Sequence, residues 1–166
     1  MPELQRLDAG HATALLRFER ENRAYFARFI SDRGDDYFAD FAARHATLLA
    51  EQATGESHFH LLIDDGAVLG RFNLVDVADG TAELGFRLAE HATGRGVATA
   101  AVRQVCELAR DNYGLHRLVA VAALTNAGSL AVLRRNDFIP TGEVRLNGKP
   151  CLRHIRDLTS IAAPVL

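Results

Sequence analysis

Thr81-Ala82-Glu83-Leu84-Gly85-Phe86-Arg87-Leu88 alternates small or apolar with polar residues, and Glu90-His91-Ala92-Thr93-Gly94-Arg95-Gly96-Val97-Ala98 follows it almost at once. The first stretch reads as a β-strand. Its period of two puts Ala82, Leu84, Phe86 and Leu88 on one face and Thr81, Glu83, Gly85 and Arg87 on the other. The second reads as a glycine-rich turn opening into a helix. Val97, Ala101, Val105 and Leu108 form an i, i+4, i+8 stripe along that helix, which stops near Tyr113-Gly114. Arg117 to Leu124 is then almost continuously apolar. A strand buried on both faces of a sheet reads that way, typically beside a parallel neighbour. Residues 81–124 are therefore a strand–helix–strand unit.

Hairpins surround this unit. His58–Ile63 and Ala67–Val77 read as strands joined by Asp65-Gly66, a hairpin turn signal, with Gly70 as a candidate bulge. Asp79-Gly80 marks the next turn. A short helix is expected from Asn126 to about Arg135, and Asn147-Gly148 joins two last strands, Gly142–Leu146 and Cys151–Leu158. Upstream, Glu3–Leu7 reads as a first strand. A helical region from His11 to Thr54 follows, broken into two helices by the loop Ser31–Asp36. Leu15, Phe18, Ala24 and Phe26 make the apolar face of one, and Phe38, Phe41, Ala42, Leu48 and Leu49 that of the other.

At 166 residues the chain fits one domain spanning 1–166. With 48% hydrophobic and 24% charged residues it is not a disordered chain. A net charge of −2 makes no electrostatic case for nucleic acid. No basic-then-apolar leader opens the chain and no apolar run is long enough to span a membrane. The two cysteines, Cys106 and Cys151, form no CxxC and imply reduced thiols in a cytoplasmic protein. His58 and His60 alternate on one strand face, but without a third nearby ligand no metal is expected. The acidic run Asp32–Asp40 reads as a solvated loop, and the tail 161–166 as a segment packed on the domain or on a partner.

Taken together, Ala82–Phe86, the loop His91–Thr99, Leu124-Thr125-Asn126-Ala127-Gly128-Ser129 and Leu133–Phe138 resemble the GNAT N-acetyltransferase superfamily, most closely its RimJ/RimL branch. The resemblance runs over nearly the whole chain. It implies an α/β domain of three layers, with a central, twisted, mostly antiparallel mixed sheet of about seven strands and helices on both faces. Its branch acetylates N-terminal amines of ribosomal proteins from acetyl-CoA, with relatives acting on other amines. Three positions depart from the family pattern. His91 stands where the loop usually begins with Gln or Arg, Ala100 where Glu is common, and Asp137 where Gly is usual.

The residues can be read for that chemistry. A helix N-terminus holds an anion through backbone N–H groups and the helix dipole. The loop His91, Gly94, Arg95, Gly96, Val97, Ala98 and Thr99 would therefore cradle the coenzyme pyrophosphate. Thr99 replaces the third glycine of a Rossmann fingerprint, and no Gly-Lys-Ser/Thr marks a P-loop. Gly85 signals either a close ligand approach or a bulky neighbour. By resemblance the pantetheine pairs with this strand, and backbone N–H groups of Phe86, Arg87 and Leu88 face the thioester oxygen. Aminolysis needs a base and a proton for the leaving thiolate. Glu83 is the candidate base, with a carboxylate paired to Arg87 as the bland alternative. Asn126 is a favoured helix cap; by resemblance it also bonds the pantetheine, and Ser129 protonates the thiolate. The acceptor is expected to be a protein or peptide N-terminus, bound between the first helices (Arg23 to Phe41) and the Asn147-Gly148 turn. A small amine acceptor and a non-catalytic acyl-CoA-binding module are the alternatives. The resemblance also allows a homodimer.

Overall fold

The computed structural model describes residues 1–159, so the tail 161–166 lies outside the described residues. In chain order the elements are β1 (Glu3–Arg6), α1 (Ala12–Glu21), α2 (Arg23–Phe26), α3 (Asp35–Ala39), α4 (Phe41–Thr54), β2 (His58–Asp64), β3 (Ala67–Ala78), β4 (Thr81–Leu88), α5 (Val97–Asp111), β5 (Arg117–Ala123), α6 (Ala127–Arg135), β6 (Ile139–Leu146) and β7 (Lys149–Asp157). Seven strands form one sheet in the order β1-β2-β3-β4-β5-β7-β6. Among the described residues only β4 and β5 pair in parallel; every other pairing is antiparallel.

Three of the expected turns are two-residue hairpins with both central residues at positive φ: Asp65-Gly66, Asp79-Gly80 and Asn147-Gly148. That geometry matches the twist of antiparallel strands, and it is what Asp-Gly and Asn-Gly supply. The bulge falls beside Gly70 rather than on it. Leu62 pairs with Gly70 and Ile63 with Val68, leaving Leu69 as the extra residue. Gly70 has a different duty: a Cβ there would lie 3.0 Å from the Arg87 carbonyl oxygen and 2.9 Å from the Phe72 ring.

Side chains of β3 show what covers each sheet face. Arg71 bonds Glu19 of α1, so its face is covered by the first helices. Phe72 points the other way, and its register partner His60 bonds Tyr113, just past α5. Helices therefore cover both faces, and Phe72, Leu74 and Leu118 are fully buried between layers. Each such side chain contributes about 1.5–3 kcal/mol by leaving water.

Some expectations are corrected. The region 11–54 holds four helices, not two. The chain breaks at Asn22, whose side-chain nitrogen donates to the Phe18 carbonyl while its oxygen accepts from the Glu90 backbone N–H. That second partner is distant in sequence. The buried stripe of α5 is Ala98, Ala101, Val102, Val105, Cys106 and Ala109, displaced from the expected one; Val97 and Leu108 lie at its margin. β5 is buried on one face only. Leu118, Ala120 and Ala122 are buried, while Val119, Val121 and Ala123 are half-buried, because part of their face opens on a cavity. The acidic run is solvated as expected, with Asp32, Asp35, Asp36 and Asp40 exposed, but Asp35–Ala39 is helical rather than loop, and Asp32 and Asp35 both accept from Arg23, at 2.8 and 2.9 Å. The His58 ring stacks on Tyr113 at 3.7 Å, and among the described residues no group of three or more His, Cys, Asp and Glu side chains comes together.

Candidate active site

The parallel pairing of β4 with β5 runs from Thr81↔Arg117 to Leu84↔Ala120 and then ends. Beyond it, Gly85–Leu88 keep their ladder to β3 and Val121–Ala123 keep theirs to β7. The two strands part, and each leaves one row of backbone N–H and C=O groups unpaired along the gap. Two cavities occupy this gap.

The larger cavity is about 370 Å³. Its floor is Phe86, Arg87 and Leu88, and one end is the turn Thr93-Gly94 with Gly96, Val97, Ala98 and Thr99 at the start of α5. Gly94 and Gly96 both have positive φ, 76° and 74°, which a side chain would oppose. No side chain caps α5. Its first N–H groups lack intrahelical partners and face an anion-sized opening. Arg87 and Arg135 are the basic residues that line this cavity.

The second cavity, about 190 Å³, lies on the other side of the same gap. Leu84, Gly85 and Phe86 line it from β4, Ala120–Ala123 from β5, Leu146, Asn147, Lys149 and Cys151 from the β6–β7 hairpin, and Phe29–Ser31 from the chain after α2. Phe29, Ile30, Phe86, Asn126 and Ser129 line both cavities, so they mark where the two meet. Asn126 caps α6, its side-chain oxygen accepting from the Ser129 N–H at 3.1 Å. The cap fixes the Asn126 side chain beside Ser129 at that junction.

Gly85 resolves one of the alternatives left by its sequence context. A Cβ built there meets nothing within 4 Å. No bulky protein neighbour requires glycine, and the free space belongs to the gap. Of the other sequence candidates, Glu83 lines neither cavity. It sits half-buried opposite Val75 and Val119, two residues before Gly85 on the same strand face. His91 and Arg95 are exposed and off both cavity walls; the Arg95 guanidinium donates to the His91 carbonyl.

Arg87 does not pair with Glu83. It donates to Glu19 of α1 at 3.1 Å, and Glu19 also accepts from Arg71 at 2.8 Å and Arg33 at 3.0 Å. Burial pushes the Glu19 carboxyl up, but Arg71, Arg87 and Arg33 outweigh it and hold it below the ordinary range. Burial lowers Arg87 to about 10, which leaves it charged at neutral pH. Sequence reading missed this cluster because its arginines stand 14, 52 and 68 residues from Glu19 along the chain. The wall of Tyr25, Phe26, Phe29 and Ile30 falls within the Arg23–Phe41 region expected to border the acceptor, although the sequence singled out none of these four for the site.

Residues 3–139 match the family model of the Acetyltransferase (GNAT) domain. The chain is 31% identical over 150 residues to the probable N-acetyltransferase YjcK of Bacillus subtilis (strain 168), covering 86% of this chain and 83% of that protein. Among solved structures, the ribosomal-protein-S5-alanine acetyltransferase of Vibrio fischeri superposes with a TM-score of 0.89 at 17% identity, over 95% of this chain and 93% of that one. RimJ of Mycobacterium smegmatis, solved with CoA-disulfide, superposes with a TM-score of 0.83 at 22% identity, over 93% of this chain and 80% of that one. At such identities the two structures speak to the fold.

Proposed function

This chain belongs to the GNAT acetyltransferase family, and we propose that it transfers an acetyl group from acetyl-CoA to the α-amine of a protein or peptide N-terminus. The observation that carries the reading is the gap between β4 and β5, with the open Gly85 where the strands part and the uncapped start of α5 at its far end. An extended pantetheine fits the unpaired edge of β4 as an added strand would. The pyrophosphate meets the N–H groups of residues 96–99, with Arg135 at the rim. Coenzyme A as found with RimJ and the ribosomal-protein acceptor of the Vibrio fischeri enzyme support the same assignment. The whole of 1–166 is read as one catalytic domain, and a ribosomal-protein acceptor would place the reaction in the cytoplasm.

The second cavity favours an α-amine over a lysine-type amine. Among the residues that line it no carboxylate appears, and Lys149 is its cation. An ammonium entering there has no counter-charge and must shed its proton. An α-amino group titrates near about 7.8 and a lysine near about 10.4, so at pH about 7.5 the α-amine is neutral more often by roughly two orders of magnitude. A polycationic acceptor fits this cavity still less.

In the reaction the neutral nitrogen attacks the thioester carbonyl carbon. The C–N bond forms, the C–S bond breaks, and the oxyanion between them is met by backbone N–H groups of β4 past Gly85. Glu83 makes no ion pair among the described residues. Glu83 lies two residues before Gly85 on the same strand face, about 7 Å away between Cα atoms, and we assign it the amine proton through ordered water. Ser129 gives its proton to the departing thiolate and recovers one from solvent.

Titration calorimetry with acetyl-CoA, with NAD and ATP as controls, is the direct test. Selective binding followed by acetylation of N-terminal peptides is expected. Binding without turnover on any peptide or amine would make the protein a coenzyme-binding module, and no binding would overturn the coenzyme assignment. Glu83→Gln and Ser129→Ala are expected to lower kcat about 100-fold or more while leaving the coenzyme Kd unchanged. Normal turnover in both would overturn their roles.

A further inference from the structure

The wall shared by the two cavities is held in an unusual way. After Ile30, whose N–H donates to the Phe26 carbonyl, no backbone hydrogen bond among the described residues ties Ser31–Arg33 to the rest of the protein. The segment is fastened by charged side chains. Arg33 reaches in to Glu19 through two nitrogens, at 3.0 and 3.4 Å, with its guanidinium over the Tyr37 ring at 4.5 Å. Asp32 reaches sideways to Arg23. Glu19 is 1% exposed and is bound in turn by Arg71 of β3 and Arg87 of β4. One buried carboxylate therefore joins α1, two sheet strands and the segment that ends the Phe29–Ser31 wall.

A buried carboxylate is a poor choice for stability alone. Desolvation consumes much of what its partners return, and apolar side chains of similar volume often do as well. What charged hydrogen bonds supply is direction, because the guanidinium fork fixes where each partner sits.

We propose that Glu19 is a positioning residue for the acceptor, holding the Phe29–Ser31 wall through Arg33 against the strands that floor the coenzyme groove. The proposal rests on the transferase reading above, since it assigns the second cavity to the acceptor. Arg87 and Arg71 keep Glu19 anchored to the sheet whether or not Arg33 is present. Loss of Arg33 then frees the wall without releasing the floor. Acceptor binding suffers, while coenzyme binding, held mainly by β4 and the start of α5, changes little although Phe29 and Ile30 also line its cavity.

Arg33→Ala is the variant of choice, because Arg33 is 28% exposed and Glu19 retains two partners without it. The acceptor KM is expected to rise about tenfold or more, with kcat within about threefold and the acetyl-CoA Kd within about twofold. Arg33→Lys, which keeps the charge but not the fork, should recover part of the loss. Hydrogen exchange of the amides of residues 27–34 is expected to accelerate about tenfold in Arg33→Ala, with the β3 and β4 amides unchanged. Unchanged exchange overturns the tie. Faster exchange with an unchanged acceptor KM overturns the acceptor role, and an equal loss in coenzyme affinity does the same. If the unsubstituted protein acetylates no amine, the transferase reading fails, and the exchange measurement still decides whether Glu19 holds this wall.

Discussion

Gly70 and Gly85 sit on neighbouring strands and look alike in the sequence, yet their surroundings differ. Gly70 is glycine because the protein itself fills the space, with the Arg87 carbonyl oxygen and the Leu88 side chain each 3.0 Å from a would-be Cβ. Gly85 faces empty space. Gly70→Ala should therefore destabilise the fold by about 1–3 kcal/mol through overpacking. Gly85→Ala should leave the ligand-free melting temperature unchanged or slightly raised, and weaken acetyl-CoA binding about tenfold, some 1.4 kcal/mol. Thermal melts and calorimetry on both variants check the pair; equal coenzyme affinity in Gly85→Ala would remove Gly85 from the groove. The same contrast explains what could be read beforehand. Interior glycines are visible in a sequence, but what would meet their Cβ atoms is not.

At the scale of elements, local rules worked where the partners were local. The three Asp-Gly and Asn-Gly hairpins and the Asn126 cap of α6 involve groups within a few residues, and all were legible. The cap also separates stability from function. Asn126→Ala should cost about 1 kcal/mol by leaving the Ser129 N–H without its acceptor, readable as a lowered denaturation midpoint. Asn126→Asp keeps a capping oxygen and should restore that stability. It should not restore coenzyme affinity, because the side-chain N–H donors are gone. Recovery of both would show that the cap alone matters. Reading failed where an element's limits are set from afar. The 11–54 region breaks at Asn22, which answers to Glu90, 68 residues away. β5 looked buried on both faces because a cavity lined by Val121 and Ala123 is apolar in composition, just as a core is.

For the molecule as a whole, the most informative test is its response to acid. His60 is 1% exposed, with Nδ1 donating to the Phe72 carbonyl and Nε2 accepting from the Tyr113 hydroxyl at 2.6 Å. Both bonds suit a neutral ring. Burial lowers its pKa from 6.5 to about 4, the Phe72 carbonyl opposes this, and His58 and Arg6 add to it. The unfolded chain thus takes up this proton near pH 6.5 and the folded protein only near 4. Stability is fully present above about pH 6.5 and is lost as pH falls toward 4, by about 3 kcal/mol. Denaturant unfolding between pH 7.5 and 4 should show that decline. In His60→Leu the decline should be shallower, although the starting stability is lower because both His60 side-chain hydrogen bonds are lost. An identical slope in both proteins would assign the acid sensitivity elsewhere.

Sequence alone determined the strand–helix–strand unit, the hairpins around it, the glycine turn at the start of α5 and the family. The first three rest on periodicity, turn chemistry or capping, which act over a few residues and so leave a local trace; the family rests on the resemblance that these motifs carry together. The tertiary structure alone decided where β4 and β5 part, which glycine faces the gap, that Arg87 answers to Glu19, and that His91 and Arg95 lie off the cavity walls. Those outcomes depend on groups brought together from opposite ends of the chain. Burial and charge pairing are properties of the folded neighbourhood, and no short stretch of sequence contains it.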